Sequence, residues 1–571
     1  MNEKRKLVGT ALCVLLLVLM LVPVSLVLSL GGKEAHRQSL VIARMHERYQ
    51  AYLEQDAGCA VGGMMDIEDI WALEDARSEA DGLLVTAMKN DGTPLGFDAS
   101  SNTFYCTLGE NCGETWPEIA LTAQGEQTPD VVFIDDYTYD YCSDAIREGY
   151  RYEMLAYTDT EYSYIGIVFT ALPIVAVNAG CSFREIGFDS DEASVVSISS
   201  AGDVPIEGGA LIHQRGGRYD YGIEKYSYHL EFHELRTGKG DDKRSVSPLG
   251  MPADSDWLLL SNPADPTAVR NEMTWGIWDE MQEEDGPEIG TLESRLVELF
   301  MDNEYMGLYQ LMQRVLPERE LVRMGGDPQT DLVFKKIRPI NKGDRPQKLM
   351  GVSMPWSAEL RHVPPGMSEE EAFGYAERFV LLEERAAGGA MLEDAAFEQF
   401  ILEHFDVREL MNYYVFLHAT ALGADNVQNN VFVWVIFDGD GGYTYHLSPW
   451  DLDYSFMPIL LNEDGSPMQE INRWMYMCER MLDLDVGGSR QIFWEIWNRT
   501  RATIMESSAI YQRIEMLEER INRSGAYLRE SERWYGEAQE LDLSMMRAIA
   551  ENHPHTVEVI ARELWPLEEQ E

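Results

Sequence analysis

The chain has 571 residues, with 98 Asp and Glu against 46 Lys and Arg, which gives a formal net charge of −52. A charge of this sign excludes nucleic acid as a partner, because binding a phosphate backbone needs a clustered basic surface. Hydrophobic residues make up 45% of the chain and aromatic residues 10%, so the chain can fill packed cores and is not mainly disordered. At roughly 150 residues per domain, the length predicts two to four domains.

The N-terminus predicts a membrane anchor at residues 7–30, within an N-terminal segment of residues 1–35. Lys4, Arg5 and Lys6 precede an uncharged run of 24 residues. At about 1.5 Å per residue such a helix spans roughly 36 Å, enough to cross a bilayer. A cleaved signal peptide is the alternative, although its apolar region would be shorter and would end in a small-residue cleavage site. We therefore expect a single-pass protein of the cell membrane, with the bulk of the chain outside the cytoplasm.

Residues 36–160 predict a juxtamembrane helix followed by a small mixed α/β domain that contains cysteines. The helix covers residues 38–56, and its apolar positions share one face: Leu40, Ile42, Met45, Tyr49 and Leu53. Strand-like runs follow at residues 82–88 and 131–134, separated by turn sequences. Nothing in the sequence indicates a chemical role for this domain.

Cysteine usage also favours an oxidising compartment. Cys13 lies in the predicted anchor, and five of the other six cysteines fall within residues 59–181. This clustering predicts one or two disulfides, with the pairing left open, whereas buried free thiols are the alternative. The chain has no C-x-x-C pair, so structural zinc is not expected.

Residues 161–345 predict a β-rich lobe. The expected strands are residues 164–170, 172–177, 193–198, 210–214, 227–232, 298–301, 307–312 and 332–336. One helix interrupts them, from an N-cap at Asp265, with Pro266 in the first helical position, to about Gln282. Its predicted buried positions are Val269, Met273, Ile277 and Met281.

Residues 346–571 are predicted to be mainly helical. Ser368 and Asp406 each precede a glutamate three residues later, which is the pattern of a capping box. The second box opens a helix that continues through Leu422. The stretch from Gln491 to Trp534 is predicted to support this lobe, with Ile492, Trp497, Ile504 and Leu517 in the core.

The most informative segment is residues 423–453, where two strands flank the turn Asp-Gly-Asp-Gly-Gly at residues 438–442. This pattern predicts a β-hairpin. Asp425 and Asn430 lie on the loop that enters the hairpin, and Asp451 and Asp453 lie on the loop that leaves it. Because a hairpin folds its two ends together, we expect these four side chains to converge.

Phosphoryl transfer from ATP uses this combination of side chains. Protein kinases place an Asp that accepts the substrate hydroxyl proton, an Asn five residues later that holds Mg²⁺, and a further Asp for the metal that bridges the phosphates. Asp425 and Asn430 have the same spacing, and carboxylate and amide oxygens suit Mg²⁺. The alternative is that these residues only form turns and caps.

Over roughly residues 165–530 the sequence resembles the CotH-type (spore coat protein H) atypical protein kinases. The matching pieces occur in the family order: Leu172-Pro173-Ile174-Val175, Ile212-His213-Gln214-Arg215-Gly216, Lys225-Tyr226-Ser227-Tyr228, Asp265 through Asn271, residues 302–309, residues 332–336 and Ser448-Pro449-Trp450-Asp451-Leu452-Asp453. The resemblance implies an α+β fold with a two-lobed, atypical protein-kinase-like domain, whose β-rich lobe is residues 161–345 and whose helical lobe is residues 346–571.

The resemblance also implies roles for individual residues. Asp425 would be catalytic, and the metal, Mg²⁺ or Mn²⁺, would be held by Asn430, Asp451 and Asp453. Arg215 and Lys225 would bind ATP through its phosphates. The acceptor would be a Ser or Thr of an envelope or coat protein. The resemblance does not assign an acidic partner to Lys225, and Glu272, on the helix after Asp265, is the one expected from the sequence.

Departures from the family pattern leave other functions open. Gly217 and Arg218 stand where the family loop has polar residues, Tyr226 replaces a second lysine, and Gln313 replaces a glutamate. A catalytically inactive CotH-like envelope or adhesion protein is therefore one alternative. A metal-dependent phosphodiesterase or nucleotidyltransferase that uses the same carboxylates is another.

Overall fold

The computed structural model of the protein describes residues 40–567, apart from residues 54–57, 110–111, 114–115, 126, 135–140, 189, 217–221, 235–242, 286–291, 337–346, 350–351, 355–357, 384–391, 423–429 and 458–474. Helices and several sheets are mixed, which confirms the predicted α+β class. Within this described part of the chain, no helix is both long and apolar enough to cross a bilayer. The predicted anchor at residues 7–30 lies outside the described residues.

The N-terminal region contains short helices and two sheets. The helices are α1 (residues 40–53), α2 (Ile67–Ala76) and α3 (Cys142–Arg147). The strands are β1 (Cys59–Ala60), β2 (Ser78–Glu79), β3 (Ala87–Asn90), β4 (Thr93–Pro94), β5 (Gly96–Asp98), β6 (Thr103–Thr107), β7 (Leu121–Gln124), β8 (Asp130–Phe133), β9 (Arg151–Tyr157) and β10 (Glu161–Thr170). One sheet has the order β1-β7-β3-β4 and the other β5-β6-β10-β9-β8, with β2 paired to β10. Strand β10 thus lies in this region, beyond the predicted boundary at residue 160.

Helix α1 corresponds to the predicted juxtamembrane helix, and only the middle of its apolar face is buried. Ile42, Met45 and Tyr49 are at most 9% exposed, whereas Leu40 and Leu53 are more than half exposed. The buried part packs on Ala193 and Leu211 of the following sheet. A disulfide joins Cys112 to Cys142, so one of the predicted disulfides is present. The other cysteines of the described residues form no disulfide.

Seven strands form a closed barrel after the N-terminal region: β11 (Ile174–Asn178), β12 (Glu192–Ser199), β13 (Ile206–Arg215), β14 (Ser227–His233), β15 (Asp256–Leu260), β16 (Ser294–Met301) and β17 (Glu304–Gln313). Their order is β11-β12-β13-β14-β15-β17-β16, closed by the parallel pair of β16 and β11. Because side chains alternate along a strand, Ile212, Tyr228, Trp257 and Tyr309 fill the barrel core, whereas Arg215 lies on the outer face.

Helix α4 spans Arg270–Asp285 and begins later than the predicted N-cap at Asp265. Ala268 has a φ of 60°, so the residues before the helix form a turn. The Asp265 carboxylate accepts the backbone N–H groups of Thr267 and Arg270 at 3.0 Å each, and therefore stabilises both the turn and the helix start. The predicted apolar face of this segment is confirmed, because its four predicted buried residues are at most 3% exposed: Val269, Met273, Ile277 and Met281.

The hairpin sheet has the order β21-β18-β22-β23. The strands of this region are β18 (Leu332–Lys336), β19 (Gln347–Leu349), β20 (Val352–Met354), β21 (Ala358–His362), β22 (Val431–Phe437) and β23 (Tyr443–Pro449), with β19 and β20 paired to each other. Strand β18 has the predicted bounds. It pairs with β21 and β22, which follow the predicted boundary at residue 345, and not with the barrel.

Helices surround the hairpin sheet, and their starts carry the predicted caps. They are α5 (Pro317–Arg323), α6 (Glu369–Glu383), α7 (Asp394–His404) and α8 (Val407–Ala419). Ser368 and Glu371 exchange hydrogen bonds at the start of α6, as a capping box does. At the start of α8, Asp406 accepts two backbone N–H groups, but Glu409 hydrogen-bonds His446 instead of completing a box.

The C-terminal helices are α9 (Tyr476–Leu484), α10 (Ser489–Ala502), α11 (Ser507–Arg523), α12 (Ala526–Tyr535) and α13 (Ser544–Leu564), and 3₁₀ turns lie at Pro248–Gly250 and Val486–Gly488. Helix α12 packs closely on barrel strand β17. The Trp534 indole donates to the Met306 carbonyl at 3.0 Å. Gly307, at a φ of 85°, makes this approach possible, because a Cβ there would lie 2.0 Å from a carboxylate oxygen of Glu530.

Candidate active site

The hairpin brings Asn430 and Asp451 together, because Asn430 directly precedes β22 and Asp451 follows β23. The backbone N–H of Trp450 donates to the Asn430 carbonyl at 2.8 Å. This hydrogen bond extends the backbone pairing of β22 and β23 by one residue beyond the Val431–Pro449 pair. The Asn430 side-chain amide donates to the Asp451 carboxylate at 3.4 Å. The Asn430 side-chain amide and the Asp451 carboxylate therefore lie side by side, as the hairpin pattern predicts.

The loop after β23 is held in position by helix α4. Asp451 has a φ of 60°, a left-handed conformation that aspartate tolerates better than most residues. The next backbone N–H, of Leu452, donates to the Asn271 side chain at 3.0 Å, and the Asn271 amide in turn donates to Gln310 of the barrel at 2.7 Å. Asp453 is buried, at 6% exposure. A buried amide thus joins the barrel to the residue beside Asp451.

Positive side chains surround the rings next to Asp451. The Arg215 guanidinium lies 5.6 Å from the Trp450 ring centre, and the Lys335 ammonium lies 6.0 Å from the ring centres of both Trp450 and Phe432. The Arg361 guanidinium lies 5.9 Å from the Phe432 ring centre. We call Arg215, Lys335 and Arg361 the cation cluster. It combines one residue of the barrel with two of the hairpin sheet.

The electrostatic environment of the cation cluster disfavours its own charge. Burial lowers the pKa of Lys335 to about 8; Asp451 acts to raise it, while Arg361 and Arg215 act to lower it. Burial likewise lowers the pKa of Arg215 to about 10, against the raising effect of Asp451. Desolvation and like charges both disfavour a protonated group. Asp451 is therefore a stabilising anion for this cluster.

Lys225 lies in a different environment from the cation cluster. Its ammonium donates to the Glu530 carboxylate of helix α12 at 2.5 Å, and both side chains are 3% exposed. It also lies 5.1 Å from the ring centre of Tyr309 in the barrel core. The expectation that Glu272 pairs with Lys225 is wrong, because Glu272 lies on α4, where it binds Arg520 of α11.

Several predicted features cannot be placed. Asp425, Gly217 and Arg218 lie outside the described residues. Among the described residues no cluster of three or more His, Cys, Asp or Glu side chains could hold a metal ion. Asn430 and Asp451 are the adjacent oxygen donors, and their assignment as metal ligands stays a prediction.

Sequence reasoning missed Lys335, Arg361 and Asn271 as residues of the site. Lys335 was placed in a predicted strand but was given no role. Its position beside the site follows from the strand register. Lys335 pairs with Phe432, and Phe432 pairs with Ser448, two residues before Trp450. Neighbours directly across a sheet share a face. The strand was predicted, but its pairing with β22 depends on tertiary packing, so no pattern in the sequence singles out Lys335.

Comparison with protein families identifies the region of the chain that contains the candidate site. A search of curated proteins found no match. The family CotH, described as CotH kinase protein, matches residues 212–560. The match covers more than half of the chain and includes the hairpin, the loop after it and the whole cation cluster. The chain therefore belongs to the CotH kinase protein family.

Proposed function

We propose that the chain is a membrane-anchored, atypical protein kinase that transfers the γ-phosphate of ATP to a Ser or Thr hydroxyl of an envelope or coat protein. The observation that carries the proposal is the approach of Asn430 to Asp451 at the base of the hairpin, within the region that matches the CotH kinase family. A two-lobed arrangement is supported by Arg215 of the barrel, which reaches Trp450 of the hairpin sheet.

The side chains fit the cofactors that a kinase needs. Asn430 and Asp451 offer hard oxygen donors, with Asp453 close by in sequence, and such donors suit Mg²⁺ or Mn²⁺. When bound, the metal would neutralise charge on the transferred phosphate. Asp425 would accept the proton of the acceptor hydroxyl as its oxygen bonds to the γ-phosphorus, while the bond from that phosphorus to the β–γ bridging oxygen breaks and ADP leaves.

A further feature of the sequence supports the proposed membrane location. The apolar run at residues 7–30 supports a single anchor in the cell membrane, with the catalytic region outside the cytoplasm.

The test is phosphate transfer from labelled ATP with Mg²⁺ or Mn²⁺ by the full chain in mild detergent. Asp451→Asn should reduce transfer by more than about 100-fold, the upper value for loss of an outer-shell metal partner. Asparagine tolerates the left-handed backbone at this position, so the fold should be retained. Asp440→Asn is the matched control, because Asp440 is exposed on the hairpin turn and should transfer like the wild type.

Two results would contradict the kinase proposal, and a third would contradict the role of Asp451 in it. A wild-type chain that neither binds nor transfers phosphate would favour the envelope-binding alternative. Release of pyrophosphate or AMP instead of ADP would favour a nucleotidyltransferase or phosphodiesterase. Equal transfer by Asp451→Asn and the wild type would remove Asp451 from the site.

A further inference from the structure

The three cations of the cluster form fewer ion pairs with the described carboxylates than would be needed to balance their charge. Arg361 forms an ion pair with Glu359 at 3.1 Å. Arg215 and Lys335 form none with any carboxylate in the part of the chain that the structure describes, and Asp451 is the first anion to act on both. Half-buried like charges repel each other and lose hydration, so an arrangement of this kind favours the binding of an anion.

The aromatic rings fix where that anion would bind. Phe432 and Trp450 meet edge to face, with ring centres 5.9 Å apart, and Lys335 lies over both. The rings attract the ammonium by cation–π contact without neutralising its charge. Asp451 acts on this charge from nearby, and among the described residues the ammonium donates no hydrogen bond to an anion.

Lys225 is a poorer candidate for the same task. Its ammonium is 3% exposed and bound to Glu530, which also accepts the backbone N–H of Leu308 at 2.8 Å. An anion that reached Lys225 would have to compete with a carboxylate that the fold already holds in place. The described contacts of Lys225 connect helix α12 to the barrel, and they do not turn the ammonium towards Asp451.

We propose that Lys335, flanked by Arg215 and Arg361, is the lysine that binds the triphosphate of the nucleotide, and that Lys225 is a positioning residue held by Glu530. This inference rests on the proposed function, since it assigns the phosphate contacts of the same site. A triphosphate carries several negative oxygens, which matches three cations arranged around one face of the sheet. Asp451 acts on the charge of both Arg215 and Lys335, and it would be one of the residues that hold a metal ion close to the same phosphates.

The experiment measures binding of a non-hydrolysable ATP analogue, and separately of inorganic tripolyphosphate, to the full chain with Mg²⁺ by calorimetry. Lys335→Gln should weaken both ligands about 10- to 100-fold, the range for loss of a charge-assisted hydrogen bond. Lys335→Arg should bind within a few-fold of the wild type. Lys89→Gln is the matched control, since Lys89 is a half-buried strand lysine in the N-terminal region and should bind normally.

The melting temperature separates this role from a structural one. Lys335→Gln removes a charge that the fold disfavours, so its melting temperature should equal or exceed that of the wild type while affinity falls. Unchanged affinity in Lys335→Gln, or loss of affinity only together with loss of the fold, would overturn the proposal. So would a wild-type chain that binds neither ligand.

Failure of this inference is distinguishable from failure of the proposed function. Transfer by the wild type together with normal binding and transfer by Lys335→Gln would reject the phosphate assignment and leave a kinase. Binding that depends on Lys335 without any transfer would leave the phosphate site and reject the kinase. Selective loss of the ATP analogue with normal tripolyphosphate binding would place Lys335 on the nucleoside and contradict the assignment.

Discussion

Lys225 and Lys335 both lie among aromatic rings in the family region, but they differ in what compensates their charge. Lys225 has a carboxylate at 2.5 Å and almost no exposure. Lys335 is half-buried against Trp450 and Phe432, and the nearest groups that act on its charge include two arginines. An uncompensated, half-buried charge is more typical of a functional site than a compensated one.

The comparison indicates that one lysine, Lys225, can support the fold while another, Lys335, is available to a ligand. Helix α12 supplies both Glu530 for Lys225 and Arg529 for Glu298 of β16, where two contacts of 2.9 Å form. These buried pairs connect the C-terminal helices to the barrel. The cation cluster connects the barrel to the hairpin sheet through Trp450. The buried ion pairs of α12 keep the barrel in position, and the cation cluster is arranged for a ligand.

The largest expected effect comes from breaking the Lys225–Glu530 pair. Glu530→Gln leaves a buried ammonium without its anion, and removal of one partner of a buried pair destabilises a protein by roughly 3–5 kcal/mol. The midpoint of denaturant unfolding, followed by tryptophan fluorescence, should fall accordingly. The double variant Lys225→Met with Glu530→Gln should recover part of the loss, since no unpaired charge remains.

An exposed pair supplies the control for this prediction. Glu519 and Arg523 lie four residues apart on α11, and both are more than half exposed. Glu519→Gln should change the free energy of unfolding by less than about 0.5 kcal/mol. A Glu530→Gln protein as stable as this control would show that Lys225 does not depend on Glu530, and the contrast between the two lysines would lose its basis.

A smaller effect is expected at Asn271, which joins the barrel to the loop of Asp451. Asn271→Ala leaves the Leu452 N–H without its acceptor next to Asp451, and loss of such an outer-shell partner typically lowers metal affinity or activity about 10- to 100-fold. Because Asn271 acts through the loop, the Mg²⁺ concentration for half-maximal transfer should rise. Asn271→Asp, which keeps the acceptor for Leu452, should show a smaller shift.

The helix α13 residue Asn552 offers a matched control. It is exposed, and its amide donates to the Ala548 carbonyl within the same helix. Asn552→Ala should leave the Mg²⁺ dependence unchanged. If Asn271→Ala also left it unchanged, the loop of Asp451 would be positioned by its own backbone and not by α4.

Local patterns in the sequence predicted much of the fold. Strand β18 has its predicted bounds, Ser368 and Glu371 form a capping box, and the hairpin at residues 431–449 brings Asn430 to Asp451. Each of these features depends on residues that are close in sequence or joined by a short turn. Short-range chemistry is sufficient to specify them.

Features that depend on distant residues were not predictable from one sequence. Lys225 and Glu530 are 305 positions apart, so Glu272 seemed the nearer choice. Asp265 stabilises a turn because Ala268 adopts a positive φ, which no pattern of caps indicates. The barrel closes through the pairing of β16 with β11. The cation cluster forms only when Arg215 of β13 lies close to the cations of β18 and β21. Such contacts depend on tertiary packing.

The smallest expected effect is a pH dependence of ligand binding, which follows from the pKa of about 8 for Lys335. The groups around Lys335 are Arg215, Arg361, Glu359 and Asp451. A bound phosphate favours protonated Lys335, so the pKa of Lys335 rises in the complex. The affinity for the ATP analogue is therefore highest well below pH 8 and falls as pH rises through that value, to about one tenth at pH 9 relative to pH 7.

Calorimetric titration of the ATP analogue from pH 7 to pH 9 measures this decrease in affinity. The Lys335→Arg protein should show none, because its guanidinium stays protonated. A decrease of equal size in both proteins would assign the titration to another group and would remove the distinction between Lys335 and Lys225.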